Sequence, residues 1–208
     1  MKLKLLKLVK LKRPPRRLAR KVSGRDHARG SPLAKTTLVA YGDFSSPACA
    51  QTYRTVKKIQ KKMGTDLRYV YRSFPQPGIF PHSAAAAEAA ECASVQGRFW
   101  EMHDALFESK TPADVARFNL HAEEAGLDLF RFQRDMRAGL HAERLRGVRE
   151  GGVRSGVDEA PTFFINSVRH ESSFGLATLL AAVQAAAGGE SLPVGVGVVS
   201  NRKARDKR

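Results

Sequence analysis

Hydrophobic and polar positions change their period along the chain, and each change marks an element. Residues 36–41 form an apolar, β-branched and aromatic run, the pattern of a buried strand. From Ala48 the period becomes helical: Cys49, Tyr53, Val56 and Met63 recur along the segment, and Gly64 stops it. Leu67, Tyr69 and Tyr71 then alternate as a second strand. Strand, helix and strand of these lengths predict a right-handed parallel unit. No Gly-x-Gly-x-x-Gly run opens the helix, so a dinucleotide site is not expected there.

From Pro75 to Gly156 the pattern is almost wholly helical. Pro81 opens an alanine-rich helix running to Val95, and Gly97 precedes a helix over 98–108 whose Phe99, Trp100, His103, Leu106 and Phe107 share a face. That aromatic face reads as packing rather than as a cofactor box, with Trp100 free to wall a groove. Thr111 and Pro112 supply a cap and first position for the next helix, which Gly126 ends. Asp128 caps a shorter helix with Leu129, Phe132 and Met136, ended by Gly139, and a last helix carries Leu145 and Val148 toward Gly156. The sheet resumes at 162–165, turns at Asn166-Ser167 into 168–170, and a helix over 174–187 closes the domain before Gly188-Gly189. The resulting boundaries are a basic, disordered arm and lead-in at 1–34, one α/β domain at 35–187 with a helical insertion at about 76–156, and a disordered basic tail at 188–208.

Charge changes this picture less than its total suggests. The 208 residues carry a formal charge of +16. Residues 1–22 hold +10 of it and residues 201–208 hold +4, which leaves +2 for the chain between. The folded part is nearly neutral, and no stripe of Arg interleaved with aromatics is visible, so no specific nucleic-acid partner is expected; the basic ends can contact acidic surfaces. In residues 1–22 the leucines distribute all round a helix, and uncharged apolar runs are two residues long. Neither an amphipathic membrane helix, a secretory signal nor a transmembrane segment is predicted, and this reading places the chain in the cytoplasm.

The candidate chemistry sits where the first strand meets the first helix, at Phe44-Ser45-Ser46-Pro47-Ala48-Cys49. A helix amino terminus presents free amide groups and the positive end of its dipole, so an anion or thiolate in the first turn is stabilised. Cys49 and Cys92 are the two cysteines of the chain, without zinc spacing and without a disulfide framework. The six histidines show no i, i+4 pair with a third ligand, so no metal site is expected. Asp43, just before the motif, reads as the cap of a turn, with proton acceptance as the alternative.

Tyr41-Gly42-Asp43-Phe44-Ser45-Ser46-Pro47-Ala48-Cys49, together with Phe99-Trp100-Glu101-Met102-His103-Asp104-Ala105-Leu106-Phe107 and Ala160-Pro161-Thr162-Phe163-Phe164-Ile165-Asn166, resembles the DsbA-like branch of the thioredoxin superfamily over about residues 26–183. The resemblance implies a thioredoxin-like fold, β-α-β then β-β-α, with a large helical insertion between the second and third strands. It also implies thiol-disulfide oxidoreductase chemistry at a Cys-x-x-Cys motif facing a cis-proline. Here the family's first cysteine aligns with Ser46 and its second with Cys49. A serine hydroxyl is a poor nucleophile and leaving group beside a thiolate, so the dithiol cycle is expected to be impaired, or reduced to the single thiol of Cys49. Residues alone favour a trans bond at Ala160-Pro161, since about 5 to 6 per cent of X-Pro bonds are cis. The resemblance reverses that expectation and places Pro47, Ala160 and Pro161 in substrate binding, with the Ala160 backbone available to pair an extended peptide or glutathione.

Two alternatives stay open. Kappa-type glutathione transferases and related isomerases share the fold and carry Ser-Pro at the position of Ser46-Pro47, which would make Ser46 a hydrogen-bond donor to bound glutathione. The other is a non-catalytic module that binds a peptide or protein. No resident cofactor is expected on any of these readings; glutathione enters as substrate or ligand, and a thiol or disulfide peptide or protein as partner.

Overall fold

The computed structural model describes residues 16–109 and 115–189. Strands β2 (Thr36–Gly42) and β3 (Leu67–Ser73) pair in parallel with Val39 opposite Val70, and helix α1 (Pro47–Met63) connects them. Strand β4 (Thr162–Ile165) runs antiparallel on the other side of β2 and hairpins into β5 (Val168–Arg169). Strand β1 (His27–Arg29) adds antiparallel to β3, giving the order β1-β3-β2-β4-β5. The hairpin turn has Asn166 at φ 46° and Ser167 at φ 70°, the positive pair that suits a right-twisted hairpin. Asn166 tolerates that geometry, and its side chain accepts from the Thr37 amide at 2.8 Å.

Between β3 and β4 stand α2 (Ser83–Ser94), α3 (Phe99–Glu108), α4 (Val115–Glu124), α5 (Leu129–Ala138) and α6 (Ala142–Arg154), and α7 (Leu176–Ala187) follows β5. This is the α/β thioredoxin-like architecture with its helical insertion. Local chemistry sets the boundaries: Asp128 caps α5 by accepting from the Arg131 amide, and Gly139 closes it in the left-handed region at φ 57°. The alanine-rich helix begins at Ser83 rather than Pro81, and the last begins at Leu176 because Gly175 is its cap. No helix among the described residues is long and apolar enough to cross a membrane. The Thr111-Pro112 cap, residues 1–15 of the basic arm and residues 190–208 of the tail lie outside the described residues.

The period of two in the strands sorts the core into two unequal parts. Leu38, Ala40, Tyr69, Tyr71, Phe163 and Ile165 face the larger side, under α1, α3 and α7. Val39, Tyr41, Val70, Phe74 and Phe164 face the smaller side with Val157. There α6 approaches so closely that a Cβ on Gly152 would lie 2.9 Å from the Tyr41 ring and 3.1 Å from Phe74, so only glycine fits.

The rest of the smaller side is covered by residues 16–26, which the sequence places outside the domain as arm and lead-in. They cross the sheet from one edge to the other: Arg17 bridges Val168 beside β5, the Leu18 amide donates to Ser167, and Leu18 and Val22 pack on the apolar cluster. Arg72 secures the far end. Its guanidinium donates to both oxygens of Asp26 at 2.8 and 3.1 Å, to the Tyr41 hydroxyl, and to the carbonyls of Arg20 and Lys21. The side chains of Arg72 and Asp26 are each 3% exposed, so the pair is desolvated and fully engaged. A segment rich in Arg and Lys has no strand or helix period to reveal it, which is why pattern reading misses both the crossing and β1.

Candidate functional site

The first turn of α1 follows from three adjacent residue types. Ser46 has extended backbone angles and its side chain accepts from the Cys49 amide, while Pro47, which has no amide to satisfy, takes the first helical position. The turn ahead of the helix is held by Asp43, whose carboxylate accepts from the Ser45 amide at 2.9 Å, the Gln76 amide at 2.9 Å and the Ser83 hydroxyl at 2.6 Å. Asp43 is buried, and every partner is a donor, so its role is to cap the turn. The Asp43 amide in turn donates to Cys49 Sγ at 3.4 Å.

Gln76 carries the connection onward. Its side-chain oxygen accepts from the Ala160 amide at 3.2 Å, and the Ala160-Pro161 bond is cis. Pro161 and Cys49 therefore share the walls of one inner pocket with Tyr53, Tyr71 and Phe107; its volume of about 10 Å³ is close to that of a single water. Ser46 and Pro47 line a different space, an outer groove of about 290 Å³ walled by Phe80, Pro81, Leu106 and Phe107 and bordered by His82, Arg117 and His121. The structure thus brings Cys49 to Pro161 on the inside of the first turn and Ser46 to Pro47 on the groove side, with Ser46 itself buried. Of the Ala160 backbone expected to pair an incoming strand, the amide is engaged by Gln76.

Burial governs the electrostatics. Cys49 is buried, and desolvation pushes its thiol up to about 11 despite the opposing hydrogen bonds from the Asp43 amide and the Ser46 hydroxyl. Behind it lies an aromatic box: His103 meets Tyr71 edge-on at 4.6 Å, Phe107 at 5.1 Å and Phe44 at 5.6 Å. Burial draws the His103 imidazole down to about 4 even though its Nδ1 contacts Asp104 at 2.8 Å. Asp104 stays ionised well below the usual carboxylate range: its burial opposes that, but His103, Arg29 and Lys57 prevail. Trp100 takes the Arg29 guanidinium over its ring at 4.5 Å, so the aromatic face of α3 is used in packing.

Cys92, inside α2, is also free and buried. Desolvation, then the carboxylates of Glu88, Asp135 and Glu91, push its thiol up to about 12. The sequence names Asp43 but not Gln76, Ser83 or His103 as site residues. Gln76 and Ser83 lie in and just beyond a Pro-rich loop with no periodicity, and their convergence on Asp43 requires the fold.

A family model described as Thioredoxin matches residues 22–185. Among solved structures, a thioredoxin-like oxidoreductase from Silicibacter pomeroyi DSS-3 superimposes with a TM-score of 0.70 at 26% identity, covering 79% of this chain and 93% of that one. BdbD from Bacillus subtilis gives 0.70 at 18% identity over 78% and 92% of the two chains. Alpha-DsbA1 of Wolbachia pipientis gives 0.69 at 18% over 81% and 94%. Among curated relatives, the Na(+)/H(+) antiporter NhaA 1 of Salinispora arenicola is 40% identical over 171 residues, covering 81% of this chain and 26% of the antiporter. NhaA 1 of Mycolicibacterium gilvum is 36% identical over 168 residues, 79% of this chain and 27% of that protein. The chain spans about a quarter of the length of these curated relatives.

Proposed function

The chain belongs to the thioredoxin family, among its DsbA-like oxidoreductases, and from that premise we propose that it binds thiol or disulfide partners but is impaired in two-cysteine exchange. Disulfide exchange starts with an exposed thiolate that attacks sulfur and can later leave. On this reading the position for that group, at the head of α1, carries the Ser46 hydroxyl. With a hydroxyl there, no mixed disulfide forms at the first position, and no neighbouring thiol resolves one. What remains is Cys49. One observation carries the reading: Cys49 is buried behind Ser46 with its thiol at about 11, so at neutral pH it is protonated and shielded. The surviving activity is a slow single-thiol one, in which a peptide or glutathione disulfide accepts the Cys49 thiolate and releases its other half as a thiol. The outer groove supplies apolar walls for an extended peptide.

The test compares wild type with Ser46→Cys in oxidation of a dithiol peptide. The variant places a thiol at the helix terminus, where such groups commonly ionise below pH 7.5, and its rate is expected to exceed wild type by at least about 100-fold. Equal rates remove the reading. Calorimetric titration with glutathione, repeated on Ser46→Ala, separates the transferase alternative, which requires wild-type binding that weakens when the hydroxyl is lost.

A second reading is favoured by a specific finding, that the curated relatives are Na(+)/H(+) antiporters of which the matching segment is about a quarter. Here the chain is a protein-binding module on the cytoplasmic side, apposed to a membrane antiporter, with its basic ends drawn to acidic surfaces. Co-purification with a detergent-solubilised antiporter, with and without residues 1–15 and at rising salt, checks it. Binding that survives neither form removes this reading; binding that depends on residues 1–15 and fades with salt assigns the attachment to charge.

A further inference from the structure

Away from the Ser46 groove, one group of three side chains among the described residues has the chemistry to hold a metal ion: Glu88, Cys92 and His141. Glu88 and Cys92 stand four residues apart on α2 and so share one face of that helix, while His141 is the residue from which α6 starts. A ligating atom from each lies within 4.8 Å of the other two. Glu88 is 7% exposed and Cys92 is fully buried, with His141 half-buried beside them. The His141 amide donates to Glu88 Oε1 at 2.7 Å, which fixes the carboxylate beside the start of α6.

One buried polar atom here is left over by the protein's own packing: Nε2 of His141 has no hydrogen-bond partner. A buried donor or acceptor without a partner signals either strain or a missing ligand. Of the acids near Cys92, Glu91 is paired by Arg144 at 2.7 Å and Asp135 by Arg134 at 2.7 Å, while no ion pair among the described residues engages Glu88. The Glu88 carboxylate is the charge that a compact cation would balance here.

We propose that Glu88, Cys92 and His141 form a site for a divalent cation of the zinc class, joining α2 to the turn between α5 and α6. One sulfur, one imidazole nitrogen and one carboxylate oxygen are a zinc-type donor set; magnesium and calcium call for oxygen alone. In a tetrahedral zinc site the ligand atoms stand roughly 3.5 Å apart, so rotamer-scale shifts close the present group. Cys92 binds as the thiolate, its proton leaving to solvent as the sulfur–metal bond forms, and with the Glu88 carboxylate it neutralises the +2 charge. The fourth position falls to water. This site shares no residue with the Ser46 groove and stands or falls apart from the proposed function.

The test titrates the full chain, freshly reduced, with Co(II) as a spectroscopic stand-in for Zn(II). Wild type and Cys49→Ala are expected to show one equivalent bound, with a thiolate-to-cobalt charge-transfer band that Zn(II) abolishes. Cys92→Ala, an alanine among alanines, folds without difficulty and is expected to lose the band. His141→Ala and Glu88→Gln are expected to keep it only with affinity reduced by more than the roughly tenfold that accompanies loss of an outer-shell partner. Thermal unfolding gives an independent readout: Zn(II) raises the midpoint of wild type and leaves that of Cys92→Ala unmoved. No band in wild type, a band lost in Cys49→Ala but kept in Cys92→Ala, or undiminished affinity in both His141→Ala and Glu88→Gln overturns the site.

Discussion

Cys49 and Cys92 are both buried and both hold their protons tightly, yet their surroundings differ in kind. Around Cys49 donors lead among the polar neighbours: the Asp43 amide and the Ser46 hydroxyl offset part of the cost of burial, against a smaller opposing charge from the Asp43 carboxylate. Around Cys92 they are carboxylates, and each adds to that cost. The head of α1 thus offers donors to a negative charge, and burial, with a smaller contribution from the Asp43 carboxylate, keeps the thiol neutral. The middle of α2 repels such charge and would carry it only against a cation. The same residue type, with its proton affinity moved in the same direction, thus stands for two chemistries, and the sign of its polar neighbours tells them apart.

Alkylation kinetics offers the widest test of that contrast. At pH 8, thiolate fraction alone should slow Cys92 by about 1,000-fold and Cys49 by about 100-fold relative to a free thiol. Both should recover the free rate in denaturant, and a native Cys92 that reacts before Cys49 breaks the comparison. Next in size is Asp43→Ala, which strands the Ser45 amide and the Ser83 hydroxyl that the carboxylate now receives. A loss of about 2 to 4 kcal/mol in chemical denaturation is expected, with faster Cys49 labelling as the turn over it loosens.

Acid separates the two regions further. In the fold, burial keeps His103 neutral down to about pH 4, whereas the unfolded chain takes up that proton near 6.5. The stability contributed by neutral His103 is complete above pH 6.5 and falls away as pH drops toward 4, by about 2 to 3 kcal/mol. His103→Phe should flatten that window, and an unchanged slope would assign it to other groups. Asp104, already ionised throughout it, acts only below 3.8. The smallest effect belongs to Glu88→Gln, which removes one of the carboxylates opposing ionisation of Cys92 and should speed its metal-free labelling several-fold. No change there would mean that burial alone sets the difference.

The strands and helices of the domain were legible because their chemistry is local. Alternation in Leu67, Tyr69 and Tyr71 and the Asp128 cap act within a few residues and appear where the sequence places them, while α1 begins at Pro47 behind its Ser46 cap, one residue ahead of the Ala48 start the period predicts. The cis bond at Pro161 was legible only through family resemblance. Long-range convergence was not: Gln76 reaches the Ala160 amide across 84 positions, and His141 reaches Glu88 across 53. For the same reason the sequence shows no zinc spacing at Cys92, since its helix carries alanines and not the histidine that the fold brings beside it. Residues 16–26 were missed for the opposite cause, because what holds them is a buried charge pair with Arg72 rather than an apolar period.

That crossing segment is a mechanical element as well as a covering. A pull on the chain ahead of Arg16 meets the short contacts beside β5 before it loads the guanidinium latch at β1, so the strap should peel from one end while staying hinged at the other. Partial peeling would bare the Tyr41, Phe74 and Phe164 rings without disturbing α1.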